Sequence, residues 1–326
     1  MVMEKVSKQE FYSLIKGFEQ IPFTQTEAWV TAHSRHDDTK LAFFVDQLPE
    51  PLIACVAHVK KKAGHKMYYI EAEAIRYKDI KHAKLTSFFQ DLQQTGVDVI
   101  EINSPMPYDA TYEIALRQAG FLRPVGQFSV ALSSYISLEN EIKYNDNWKR
   151  NMKKAANNQL SFEVIDNAVD DDINDFIKLY NEMSVQKNVA PTFTFSSLRT
   201  LLTSANFKLF FVKNEQNERI ATILIHYNNN HAGLVYAASG EKAHQCAASF
   251  FMYDKLFHYL SQQHIKTFDM EKLAPSIHST NAVFLFKNGI KGEYIVVNGE
   301  WSWHKNSFLR PLMYVAKKWF LKKIEW

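Results

Sequence analysis

The spacing of apolar positions changes period along the chain, and the changes mark out the elements. Apolar residues recur at helical spacing over residues 9–18 and 26–34, then crowd into strand-like runs at 41–46, 52–59 and 67–71. Residues 79–94 return to the helical period, with Ile80, Ala83, Leu85, Phe88, Phe89 and Leu92 forming its apolar positions, and lead into a strand over 97–102. A helix over 110–119, stopped at Gly120, and a strand over 127–132 complete the first series.

The same order then begins again. A helix over 170–183 and another over 196–204 precede strands at 208–212, 220–227 and 234–238. A helix over 247–262, a strand over 265–270, a helix over 279–287 stopped near Gly289 and a strand over 293–297 follow. Equivalent elements are offset by roughly 165 to 169 residues, the signature of an internal duplication. In the clearest pair, Phe88–Ile102 and Leu256–Met270 each read as helix, tight turn and buried strand with an acidic residue in or beside it. The pattern predicts an α/β (α+β) fold of two similar lobes with mixed sheets, each joining an antiparallel meander to a right-handed βαβ crossover. The expected lobes are residues 1–150 and 151–307, with an amphipathic tail at 308–326 and a polar linker within 138–158. Two such lobes side by side would frame a cleft, a common place for a ligand.

Composition narrows the class. A chain of 326 residues with 46% apolar content can bury two sizeable cores. The first twelve residues lack an apolar signal core, and no run approaches the ~18 apolar residues of a spanning helix, so a cytoplasmic protein is expected. Cys55 and Cys246 have neither disulfide-scaffold nor zinc spacing, and no metal or cofactor is expected. A net charge of +3 is too small to mark a nucleic-acid-binding domain. Basic residues gather locally at 60–66, 149–154 and 304–323. In the tail, Leu309, Leu312, Met313, Ala316, Trp319, Phe320 and Lys323 share one face, which suits either packing on a lobe or lying in a membrane interface.

For chemistry, the chain lacks a GxSxG elbow, an HExxH helix, a P-loop and a GxGxxG turn. Lys287, at a helix end before Gly289, is placed to stabilise developing negative charge, although a helix-terminal lysine also complements the helix dipole. Asp269 and Glu271 at a strand end are candidate proton acceptors or, more plainly, loop-capping carboxylates.

Three stretches resemble the FemABX aminoacyltransferases: Phe23-Thr24-Gln25-Thr26-Glu27-Ala28-Trp29, Trp148–Ala155, and Asn281–Gly292 with its Phe286-Lys287 pair. The resemblance covers nearly the whole chain and implies two lobes of the GNAT type, in the compact form without a coiled-coil arm. It implies transfer of an aminoacyl group from aminoacyl-tRNA to an amine of a peptidoglycan precursor. By the same resemblance Phe286 and Lys287 are the catalytic pair, and Asn281, Tyr236, His33 and Lys187 bind substrate. His33 and Lys187 stand where compact members carry a lysine and an arginine, and the neighbouring Arg35 can substitute as a cation. An alternative donor is acyl-CoA or an acyl carrier protein, with another small amine as acceptor. The strand-to-helix loop 238–248 lacks the glycine spacing of a pyrophosphate cradle, which disfavours CoA. A non-catalytic binding module is the third reading.

Overall fold

The computed structural model describes residues 3–34, 40–62, 64–124, 132–187, 191–273 and 281–320, apart from the side chains of Lys317 and Phe320. Through the first half, the chain forms β1 (Glu4–Val6), α1 (Lys8–Leu14), α2 (Glu27–His33), β2 (Leu41–Val45), β3 (Ile53–Lys62), β4 (His65–Glu71), β5 (Ile75–Arg76), α3 (His82–Gln93), β6 (Val99–Pro107) and α4 (Ala110–Gln118). It continues with β7 (Leu132–Ser137), α5 (Asp146–Ala156), β8 (Ser161–Ile165), α6 (Asp170–Lys187), α7 (Phe195–Leu202), β9 (Phe207–Lys213), β10 (Arg219–Asn228) and β11 (His231–Ser239). The last elements are α8 (Glu241–Gln245), α9 (Ala248–Gln262), β12 (Thr267–Asp269), α10 (Ala282–Asn288), β13 (Glu293–His304) and α11 (Leu309–Val315). Two compact units result, one of Met1–Val30, His36–Ala131 and Val296–Trp326, the other of Thr31–Arg35 and Leu132–Ile295.

In the first unit the strand order is β1-β2-β3-β4-β6-β13, with β5 beside β3. Only β4 and β6 run parallel, from Met67 opposite Val99 to Glu71 opposite Asn103. Strand alternation divides β2 between two cores: Ala42 and Phe44 join one, Leu41, Phe43 and Val45 the other. The first is covered by α3, whose Leu85, Phe88, Phe89 and Leu92 fall at the i, i+3, i+4, i+7 spacing of a single face. The second takes Phe11 and Ile15 of the first helical segment and Val30 of α2. The start of the tail belongs here as well, because Leu309 is buried with Met67 and Val99, and Met313 packs beside it.

The second unit repeats the plan with the order β7-β12-β11-β10-β9-β8. Its core sets Phe210, Val212, Ile223 and Ile225 of the meander against Met252, Leu256, Phe257 and Leu260 of α9. The duplication holds where it is most exposed to failure. β6 lies between a parallel β4 and an antiparallel β13, and β12 lies between a parallel β11 and an antiparallel β7.

One expectation is overturned. The strand after Gly120 was expected to close the first sheet and the strand at 293–297 the second, but the closing strands are exchanged. β7 pairs with β12, and β13 pairs with β6 from Val297 opposite Pro107 to His304 opposite Val99. The reason is length: β13 runs on to His304, and its Trp301 fills the first core. Residues 127–131 of the expected strand lie outside the described residues. Apolar periodicity marks that a strand exists but not which sheet edge it completes.

The amino-terminal Gln–Thr–x–x–Trp signature has a structural role in the first unit. β3 pairs with β5 through Ile53 and Ala54 and with β4 from His58 onward, so Val56 has no strand partner on that side. The buried Gln25 side chain fills the gap: Val56 N–H donates to its Oε1 at 2.7 Å, and its Nε2 donates to the carbonyls of Glu71 at 2.6 Å and Val56 at 3.4 Å. Trp29 Nε1 donates to Glu71 Oε2 at 3.1 Å and fixes the same strand end. Removing the amide strands buried backbone groups, each of which costs about 1–3 kcal/mol. Gln25→Ala should therefore lower unfolding free energy by about 2–3 kcal/mol in urea titration, and a loss under ~0.5 kcal/mol would show that the amide is dispensable.

Candidate active site

The second sheet opens between β11 and β12. β11 pairs with β12 only from His231 to Gly233, yet β11 continues to Ser239. Past Asp269 the chain follows β7 instead: Met270 N–H donates to Ser134 O and Leu273 N–H to Leu132 O, both at 2.9 Å. The two strands therefore diverge beyond Gly233. In the first unit the equivalent pair stays closed, with Ala72 N–H donating to Asn103 O at 3.0 Å.

A polar cluster occupies the chain just past this divergence. Asp269, 5% exposed, accepts through Oδ1 from Ser133 Oγ and, at 2.7 Å, from the Glu271 backbone N–H. Glu271 adopts φ +57°, a left-handed conformation uncommon for a residue with a Cβ and often found at functional sites. Past that turn, the carbonyls of Glu271 and Lys272 each accept from Lys287 Nζ at 2.9 Å. An ammonium has three donors, so two are committed to backbone and one remains for another partner.

Lys287 is carried by α10, which is fixed at both ends. Asn281 caps its start, its Oδ1 accepting from Phe284 N–H at 3.0 Å. At its other end Trp148 Nε1 donates to Phe286 O at 2.8 Å, and the indole lies so close to Gly289 that a Cβ there would sit 2.2 Å from Trp148 Cδ1. The Phe286 ring packs among Trp148, Phe250 and Tyr253 at centroid distances of 4.8, 5.1 and 5.3 Å. Phe286 thus anchors the helix, and Asn281 starts it.

Burial dominates the electrostatics. Lys287, 9% exposed, has its ammonium pulled down to about 8 by burial, with Glu271 and Asp269 opposing the shift. Burial pushes both carboxyls up; the Asp269 charge raises Glu271 further, while the Ser133 hydroxyl restrains Asp269. A cation that holds its proton up to mildly alkaline pH therefore stands beside two carboxyls with raised affinity for one. That set can stabilise an oxyanion and accept a proton near neutral pH.

The remaining expected residues lie elsewhere. Tyr236, on the diverging part of β11, packs against Phe193 at 5.0 Å, Tyr180 at 5.9 Å and Phe176 at 6.4 Å, and its hydroxyl shares a hydrogen bond with Thr192 Oγ1 at 3.2 Å. Lys187 is exposed at the end of α6, and His33 is half-buried at the end of α2. Arg35 lies outside the described residues. The loop weighed for pyrophosphate is taken up by α8 and by Ala247 at φ +57°, rather than running directly into the start of α9. Among the described residues no three His, Cys, Asp or Glu side chains gather as a metal site.

Sequence reasoning missed two features. Ser133 touches Asp269 from β7, a contact invisible until the closing strands are known. The second is a groove of about 520 Å³ bordered by Tyr144, Lys143, Lys149, Lys291, His258 and Ser261. Tyr144 stacks on Trp148 at 5.0 Å, which links the groove to the helix that carries Lys287. Lys149 lies in the basic run seen in the sequence, so one part of this groove was legible.

Comparison with solved structures identifies the fold class as the tandem GNAT fold. The chain superposes on FemX with a TM-score of 0.75 over 96% of this chain and 100% of FemX, at 11% identity. L-PGS from Bacillus licheniformis matches with a TM-score of 0.66 over 99% of both chains, at 11% identity. A tandem GNAT protein from the clavulanic acid biosynthesis pathway matches at 0.53 over 93% of this chain and 98% of that one, at 9% identity. No family model and no curated protein matches the chain. The doubled GNAT architecture implied by the sequence resemblance is therefore the fold of this protein.

The depressed lysine is directly measurable. With ¹³Cε-labelled lysine, one resonance absent from Lys287→Met should titrate with a midpoint near pH 8, protonated below and neutral above, well under the ~10.4 of a lysine in a model peptide. A Lys287 midpoint above ~10 would contradict the buried environment described.

Proposed function

We propose that the protein is an acyltransferase that moves an aminoacyl group from aminoacyl-tRNA to an amine of a peptidoglycan precursor. The observation that carries this reading is Lys287, held by two backbone carbonyls beside Asp269 and Glu271 at the opening of the second sheet. The neutral amine attacks the ester carbonyl carbon, the C–N bond forms and the C–O bond to the ribose breaks. Lys287 stabilises negative charge on the carbonyl oxygen of the tetrahedral intermediate through its remaining N–H. The Glu271 and Asp269 pair takes the proton from the attacking nitrogen and passes it to the departing ribose oxygen, which leaves as the hydroxyl. We assign Lys143, Lys149 and Lys291 of the Tyr144 groove to the donor phosphates, and Tyr236, Lys187, His33 and Arg35 to the acceptor.

Acyl-CoA transfer to another amine uses the same proton steps and is the competing reading. The helical turn of α8 where a direct strand-to-helix phosphate loop would run argues for the tRNA donor.

Transfer of a radiolabelled amino acid from charged tRNA to a precursor, compared with acyl-CoA and a panel of amines, tests the reading. Lys287→Met keeps the stem's packing, and it should lower turnover by about 10²–10³ with little change in stability. Lys291→Met should leave turnover near wild type and raise KM for the tRNA donor several-fold. Equal, small effects from both substitutions would remove Lys287 from the reaction, and turnover with acyl-CoA alone would replace the donor. In the wild type, turnover should fall above about pH 8 as Lys287 loses its proton, and at acid pH as the carboxyls gain theirs. A flat profile from pH 6 to 9 would contradict these assignments.

A further inference from the structure

The tail is two-faced, and its outer face is exposed. Leu309 and Met313 pack against Met67 and Val99, and Arg310 Nη2 donates to Arg123 O at 2.7 Å, so the helix is held on the first unit. The large apolar side chains of Phe308, Leu312, Val315 and Trp319 are instead 75%, 52%, 45% and 69% exposed. Their spacing of four, three and four places them on one helical stripe through α11 and the turn Ala316–Phe320 that continues it. The single apolar face expected from sequence is therefore divided, with Leu309 and Met313 docked and Leu312 and Trp319 turned outward.

The tail is basic in sequence. Residues 304–326 hold six lysines and arginines and one acid, Glu325. A second basic segment lies on the same side of the unit. In the β3–β4 hairpin Lys60 is opposite Met67 and Lys62 opposite His65, so these side chains project from the sheet face on which Leu309 packs. Lys60 and Lys62 of one basic run and Lys318, whose Nζ lies 5.5 Å from the centroid of the Trp319 ring, are far apart in sequence and thus border a single ridge of exposed aromatic and aliphatic side chains.

We propose that this ridge is a docking surface for an anionic lipid bilayer, with Phe308, Leu312, Val315 and Trp319 entering the interface and Lys60, Lys62 and Lys318 lying over lipid phosphates. The combination of an apolar stripe containing tryptophan with a cationic border suits an interfacial helix. A second copy of this chain is a poor occupant, because pairing two such ridges would bring like charges together. Docking a rigid helix leaves no ordering cost for coil-to-helix folding at the surface.

Co-sedimentation of the full chain with phosphatidylcholine vesicles, with and without about a third phosphatidylglycerol, tests the surface. The wild type should bind the anionic vesicles at least ~10-fold more tightly than the neutral ones, less so at high salt, with a blue shift of tryptophan emission. The double substitution Leu312→Asp, Trp319→Ser alters only exposed positions, so its thermal melt should match wild type while binding falls at least ~10-fold. Lys60→Glu with Lys62→Glu should lower anionic binding by a similar ~10-fold and leave neutral binding unchanged. Equal vesicle binding by wild type and both variants would overturn the proposal. So would absent vesicle binding, with or without a dimer in sedimentation velocity that Leu312→Asp, Trp319→Ser dissociates.

Discussion

The candidate site depends on one constraint in the second sheet: β11 and β12 can share hydrogen bonds for only three residues before the chain after Asp269 turns to follow β7. That divergence requires the left-handed turn at Glu271, and the turn in turn offers two adjacent carbonyls to a single ammonium. Burying a lysine is costly unless its donors are satisfied. Here the backbone satisfies two of them, and the remaining electrostatic demand falls on the Asp269 and Glu271 carboxyls. The depressed lysine and raised carboxyls are thus two consequences of the same desolvated position.

The duplication clarifies why the two units differ. In the first, β4 stays paired with β6 through its last residue, Glu71 opposite Asn103, and Gln25 closes the gap in β3 by acting as a side-chain substitute for a missing strand. In the second, the equivalent pair separates and carries ionisable side chains. Equal folds have been given unequal tasks, one closed and one open, by a few residues at the ends of two strands. The exchange of β7 and β13 ties this difference to topology, since Ser133, which touches Asp269, arrives on an exchanged strand.

Much of the fold was legible because its cores are strictly periodic. α3 and α9 bury residues at helical spacing, and the meanders alternate or run apolar, so their order and the repeat followed from sequence. The exchanged strands were not legible, because the apolar pattern of β7 or β13 is satisfied by either sheet edge. In the site, Lys287 was found from its place before Gly289, but its real setting is burial against carbonyls rather than a free helix end. Phe286 and Asn281 were also singled out, and their contacts are those of an anchor and a cap. No sequence signal could give the φ of Glu271, which arises from the divergence of the strands.

The most direct test of the central claim compares two ligands. A phosphonate analogue places a charged tetrahedral oxygen where the reacting carbonyl oxygen would be, whereas the corresponding amide is uncharged and planar. If Lys287 meets charge that develops only during reaction, the wild type binds the phosphonate at least ~10²-fold more tightly than the amide, and Lys287→Met abolishes that preference while leaving amide affinity unchanged. A preference for the phosphonate that survives Lys287→Met would contradict the account.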